Sequence, residues 1–426
     1  MLRPFGYAAL LLTLGTAPVR AEDPLPRATP ESVGMSSERL ARLDAALKAE
    51  VERGRLPGAV VAVARRGRLV HYEAYGHVDP AAKTTMPRDG IFAIASMTKP
   101  FVGTAIMMLL EEGKLALNDP IERHLPELGN RRVATLDETA PANGQLATVP
   151  ARRPVTILDL ARHTSGITYG GRGTTPVHKM YPASSNWAGE NLTGAEFLKQ
   201  LAAAPLLYQP GTVWDYSLSI DVLGLVVEKV SGKPLSAFLQ ERLWRPLGMK
   251  DTGFVVPASS ASRLARPLAT DPDTGKPQSV PDRSKPLKFE CGGGCAASTA
   301  GDYLRFAQML LDGGALDGTR ILGRKTVEAM TADQMTPEIS NRIAVTDPNA
   351  AGYGFGVTVA VRPATGGGGG LVGSPGDFYW NGAYGTLWWA DPEERLAVVF
   401  MTHTPGDQRR EYRRLVNALV YQAIVE

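Results

Sequence analysis

The chain has 426 residues, enough to bury a full core without metals or disulfides as staples. Its 44% hydrophobic and 21% charged residues are ordinary globular values and exclude disorder or a collagen-like state. A formal net charge of +3, with no long Lys/Arg block, leaves no clustered basic footprint for nucleic acid.

The first residues combine Arg3, an apolar run over 8–15 and a small-residue segment ending at Ala21. This pattern predicts a secretory signal peptide over 1–21, hence an exported protein, periplasmic or secreted. The run is too short to cross a bilayer and no longer apolar run follows, so no membrane span is expected in the mature chain. Beyond it, Ser36 and Ser37 precede Leu40, Leu43, Leu47 and Val51, the spacing of a capped amphipathic helix. After Pro57-Gly58, apolar runs at 59–64 and 69–75 flank Arg65-Arg66-Gly67-Arg68 and predict a β-hairpin. The middle of the chain reads as helical at 106–117, 157–163, 195–204, 220–230, 235–243, 300–311 and 325–335. Irregular stretches at 130–153, 167–192 and 256–298 interrupt it, and loops of that length usually wall a functional site. Strands are predicted at 353–361, 378–390 and 396–403, and a final helix at 407–425. Gly366–Gly370 reads as a flexible loop rather than a phosphate cradle, since no strand–helix frame surrounds it.

The expected fold class is therefore α+β. The two chain ends (about 33–95 and 345–426) supply an antiparallel sheet flanked by helices, and about 96–344 forms a mostly helical subdomain, all within one domain over 22–426. A small-molecule site belongs in the cleft between two such parts.

No G-x-S-x-G elbow and no H-E-x-x-H occurs, and Gly232-Lys233 is followed by Pro234, so three common enzyme motifs are absent. The informative segment is Ser96-Met97-Thr98-Lys99-Pro100. Among the thirteen lysines only Lys99 has a serine three residues before it. Three-residue spacing at a helix start puts both side chains on one face. A desolvated lysine can then act as base toward a serine nucleophile. Tyr216, just before an apolar helix, is a second member of such a base pair, against the plain reading of a core tyrosine. In Trp380-Asn381-Gly382-Ala383, glycine marks a close backbone approach. The N–H groups of Ala383 and Ser96 would form an oxyanion hole. Cys291 and Cys295 flank three glycines, a spacing that suits a disulfide in an exported chain. The alternative, a metal site, lacks further ligands: no histidine lies between His178 and His403, and neither metal nor cofactor is expected.

These segments resemble the serine β-lactamase-like superfamily, and within it the family VIII carboxylesterases, relatives of class C β-lactamases and D-alanyl-D-alanine carboxypeptidases. Ser96–Lys99 match the S-x-x-K motif, Tyr216-Ser217-Leu218 the Y-x-N position, and Trp380-Asn381-Gly382 the K-T-G position. His163-Thr164-Ser165-Gly166, Gln209-Pro210-Gly211, Pro246-Leu247-Gly248-Met249 and Ser298–Asp302 extend the likeness to about 33–425. The resemblance implies an acyl-enzyme on Ser96, with Lys99 and Tyr216 as base pair and Trp380, Asn381, Gly382 and Ala383 at the substrate. Two departures bear on substrate. Trp380 stands where carboxylate-recognising relatives carry Lys or His, and Leu218 stands where they carry an amide. Both favour a short-chain neutral ester as the small-molecule partner. A β-lactamase or carboxypeptidase, and a catalytically silent binder of the same fold, are the alternatives.

Overall fold

The computed structural model describes residues 23–135, 146–365 and 369–426. The predicted signal peptide, part of the 130–153 stretch and part of the glycine run lie outside the described residues. An eight-stranded antiparallel sheet organises the chain. Its strands are β1 (Gly58–Arg65), β2 (Arg68–Asp79), β3 (Thr84–Thr85), β4 (Gly354–Phe355), β5 (Ala360–Val361), β6 (Phe378–Asn381), β7 (Leu387–Asp391) and β8 (Leu396–Thr402), in the order β4-β5-β6-β7-β8-β1-β2-β3. The two chain ends meet at the β8–β1 pair, where Ala59 faces Thr402 and Arg65 faces Leu396. The predicted hairpin is present, turning through Arg66 and Gly67, both in left-handed conformation.

Every residue of β1, β7 and β8 is buried, so both faces of the sheet centre are covered. The N-terminal helix α1 (Ser37–Glu52) packs on the C-terminal helix α5 (Gln408–Tyr421) and on β2. The Ser36 hydroxyl caps α1 by accepting from the Arg39 N–H. Helix α4 (Ala300–Leu311) lies against β1, β7 and β8, so it joins the sheet rather than the helical part expected over 96–344. The helical part is centred on α2 (Lys99–Glu111), which packs on α3 (Ser219–Ser231). Residues 99–109 of α2 are all buried, as expected of a helix apolar on every side.

Three expectations are corrected. The run 353–361 is two short strands, because Thr358 takes φ 66° between them. The run 378–390 is a hairpin, β6 and β7, broken at 382–386 by Gly382 and by Gly385 at φ 120°. The irregular 167–192 stretch contains a helix, Ser185–Asn191, capped by Ser184. Among the described residues no helix is long and apolar enough to cross a membrane.

Candidate active site

Ser96 sits in a tight turn, Ala95–Thr98, that runs directly into α2. Ala95 adopts φ 45°, a left-handed conformation costing an L-residue roughly 1–2 kcal/mol, which persists only where the surroundings hold it. They do so through specific bonds. Ile94 N donates to Ala296 O (3.0 Å), Ala296 N to Thr98 Oγ1 (3.0 Å), and the Tyr303 hydroxyl to Met97 O (2.8 Å). The short pairing of Phe92–Ala93 with Ala297–Ser298 brings the cysteine-flanked glycine loop to this turn.

Lys99 begins α2 and is 0% exposed, while Ser96 is partly exposed. Lys99 Nζ donates to Ser96 Oγ (3.3 Å), to the Tyr169 hydroxyl (3.3 Å) and to the Gly293 carbonyl (2.5 Å), and lies 4.5 Å from the centre of the Tyr216 ring. Burial works against its charge, but the oxygens of Tyr169, Tyr216 and Asp221 outweigh burial and hold the Lys99 pKa above the usual lysine value. These oxygens favour the charged form of Lys99, against the neutral amine that burial alone would favour.

Tyr216 stands between the short strand Val213–Trp214 and α3. Its ring packs among His163 (4.6 Å between centres), Trp380 (5.4 Å) and Tyr169 (5.6 Å). Trp380 is 1% exposed, and its Nε1–H donates to the Tyr216 hydroxyl oxygen at 3.2 Å. The indole expected to face substrate thus lies behind the tyrosine and supports it. His163 Nδ1 accepts from the Ser217 N–H (3.3 Å), and burial, with the charges of Lys99 and Arg172, keeps the ring neutral by pushing its pKa well down.

On the other side of Ser96, β6 ends at Asn381 and the chain turns through Gly382 and Ala383. A Cβ at Gly382 would fall 2.3 Å from the Ile94 carbonyl oxygen and 2.2 Å from Thr386 Oγ1, so only glycine allows this turn to lie against the one carrying Ser96. Among the described residues, neither the Ser96 N–H nor the exposed Ala383 N–H donates to another protein group. Asn381 Nδ2 is held by Asp347 (2.7 Å), and Arg413 donates to the Gly382 carbonyl. Ser219, at the start of α3, is buried and bonded to Ser165 and Ser217 (2.7 Å each). The Cα atoms of Cys291 and Cys295 are 5.4 Å apart, within the range a disulfide spans.

Sequence reasoning did not find Tyr169, Ser185, Asp221 or Arg172. Tyr169 and Arg172 belong to the 167–192 stretch, which has no periodicity to flag them. Arg172 is exposed, with its guanidinium carbon 5.5 Å from the Tyr216 ring centre and a 2.8 Å bond to Thr346 Oγ1. Asp221 did carry a signal: it is a carboxylate inside an apolar helical run.

A family model described as Beta-lactamase matches residues 43–422. "Protein Rv1367c" of Mycobacterium tuberculosis is 40% identical over 372 residues, covering 85% of this chain and 89% of that one. "Esterase EstB" of Burkholderia gladioli is 34% identical over 396 residues, with 85% and 90% covered. The solved structure of "EstCE1, a hydrolase with promiscuous acyltransferase activity" superposes with a TM-score of 0.73 at 27% identity, covering 90% of this chain and 99% of that chain. With its fold, the S-x-x-K serine and lysine in contact and a match over most of its length, the chain belongs to the beta-lactamase family and is a serine hydrolase of that superfamily.

Proposed function

We propose that the protein hydrolyses short-chain neutral carboxylic esters through an acyl-enzyme on Ser96. The observation that carries this reading is Lys99 Nζ 3.3 Å from Ser96 Oγ, with the Tyr216 ring against the same Nζ. The pair acts when it is one proton short, as an ammonium beside a phenolate: the Tyr216 oxygen takes the Ser96 proton as Oγ attacks the ester carbonyl carbon, and Lys99 keeps its charge. The Tyr216 oxygen suits the acceptor role, because Trp380 donates to it and a fixed cation lies beside its ring. Charge develops on the carbonyl oxygen, where the N–H groups of Ser96 and Ala383 can bind it. The tetrahedral intermediate collapses, the C–O bond to the alcohol breaks, and the same pair returns the proton to the leaving alkoxide. Water then repeats the sequence on the acyl-enzyme and releases the acid. The esterase and hydrolase relatives support this chemistry. Export of the chain and a Cys291–Cys295 disulfide belong to the same reading.

Ser96→Ala should lose p-nitrophenyl butyrate hydrolysis by several orders of magnitude while remaining folded, since it removes the covalent path. Near-normal turnover by that variant would refute the proposal. One observation favours a second reading. Arg172 places a cation over Tyr216, where a substrate carboxylate could pair with it. A β-lactam or a D-alanyl-D-alanine peptide would use that charge, whereas a neutral ester would not. Comparing kcat/KM for p-nitrophenyl butyrate and nitrocefin in one buffer decides between them.

A further inference from the structure

Behind Lys99 a ring of buried polar groups closes on itself. Lys99 Nζ donates to the Tyr169 hydroxyl (3.3 Å), which is 3.0 Å from Ser185 Oγ, and Ser185 donates to Asp221 Oδ2 (2.7 Å). Because the Ser185 proton goes to the carboxylate, Tyr169 is the donor to Ser185. The second arm is one peptide. Lys99 donates to the Gly293 carbonyl (2.5 Å), and the Gly293 N–H donates to Asp221 Oδ1 (2.9 Å). Both arms run from the ammonium to the same carboxylate, and both ions are 0% exposed. Neither charge is stable there alone, since an unpaired buried ion loses its hydration without return. An ammonium has three N–H groups, and here they meet Ser96, Tyr169 and Gly293. Two of the three are thus held by the Asp221 ring, which leaves the third aimed at the nucleophile.

The glycine loop is shaped for this contact. A Cβ on Gly293 would fall 2.3 Å from Asp221 Oδ2 and 2.5 Å from Ser185 Oγ, while a Cβ on Gly294 would meet nothing closer than 3.5 Å. Helix α3 delivers Asp221 in its first turn, where the helix dipole favours an anion.

We propose that Asp221 is a positioning residue for Lys99, holding the ammonium at Ser96 through the Tyr169–Ser185 pair and through the Gly293 peptide. This rests on the roles proposed above for Ser96 and Lys99. Asp221 has no part in contacting substrate, so its loss acts on turnover rather than on binding.

The test uses p-nitrophenyl butyrate and the full-length protein, with folding checked by circular dichroism. Asp221→Asn keeps the shape and removes the charge. It should lower kcat at least ~10-fold, the scale of one bond to a buried ion, with KM nearly unchanged. The groups facing Lys99 are Tyr169, Tyr216 and Asp221, with His163 and Arg172 further away. Without the carboxylate the ammonium loses its proton at lower pH, so the alkaline limb of the kcat profile moves to lower pH. A merely structural role would leave that limb in place. Gly293→Ala should also lower kcat, whereas Gly294→Ala, one residue on, should turn over like the wild type. If Asp221→Asn does not fold, Ser185→Ala deletes one hydroxyl of the ring and is read the same way. Folded variants at Asp221 (or Ser185) and Gly293 with wild-type kcat and pH profile, beside an inactive Ser96→Ala, overturn this inference and leave the hydrolase reading standing. An active Ser96→Ala overturns the hydrolase reading itself.

Discussion

Gly382→Ala tests whether the turn after β6 sets the geometry around Ser96. The added Cβ would lie 2.3 Å from the Ile94 carbonyl oxygen, and real Cβ contacts essentially never fall below 3.0 Å, so the backbone must part by about 0.7 Å at least. The obstacle on that side is backbone, not the flexible end of a side chain. Ile94 is two residues before Ser96 and Gly382 is next to Ala383, so the displacement falls between the two N–H groups proposed to bind the oxyanion. A misplacement near 1 Å costs ~100-fold in rate, and loss of one oxyanion donor costs a similar factor or more. We therefore expect kcat on p-nitrophenyl butyrate to fall ~100-fold, with overpacking costing about 1–3 kcal/mol of stability. Stopped-flow hydrolysis and a thermal melt measure the two effects separately. A folded Gly382→Ala with kcat within about threefold of wild type would show that the turn does not set the oxyanion geometry.

Tyr216→Phe deletes only the hydroxyl that Trp380 supports, and should lower kcat ~100-fold; an unchanged kcat would make Tyr216 a packing residue. Cys291 and Cys295 should titrate as no free thiol under denaturing, non-reducing conditions in protein recovered from an oxidising compartment, and two free thiols there would contradict the proposed bond. His403 donates Nδ1–H to the Ala265 carbonyl (3.0 Å), and burial lowers its pKa to about 4. The folded state binds fewer protons here than the unfolded one, so the contribution is complete above pH ~6.5 and is lost as pH falls toward 4, about 3 kcal/mol in all. Between pH 7 and 4 the wild type should therefore lose more stability than His403→Gln, and parallel denaturation midpoints would contradict the assignment.

Local patterns made much of the frame legible. Leucine spacing and Ser36 marked α1, and the two apolar runs after Pro57-Gly58 marked the β1–β2 hairpin. The three-residue spacing of Ser96 and Lys99 survived folding as a 3.3 Å contact. The breaks were harder to see. Thr358 is β-branched and gives no sign of a left-handed turn, so 353–361 looked continuous. Helix α2 spans Lys99–Glu111 rather than 106–117, with Pro100 in its first turn, where the missing N–H does least harm. Trp380 looked like a substrate contact from its motif, yet its donor points to Tyr216, a relation set by packing across 164 residues of chain. The direction of the Lys99 pKa was equally invisible. Burial alone argues for a neutral amine, and only the fold brings Tyr169, Tyr216 and Asp221 close enough to oppose it.

The most direct test of the central claim is to trap the covalent intermediate. The protein is mixed with p-nitrophenyl butyrate, quenched in acid during turnover, digested and examined by mass spectrometry. A butyryl group on the peptide carrying Ser96, absent after full hydrolysis and absent in Ser96→Ala, is the result the account predicts. Continued turnover with the acyl group on another residue, or with Ser96 quantitatively unmodified while a fluorophosphonate labels elsewhere, would contradict it.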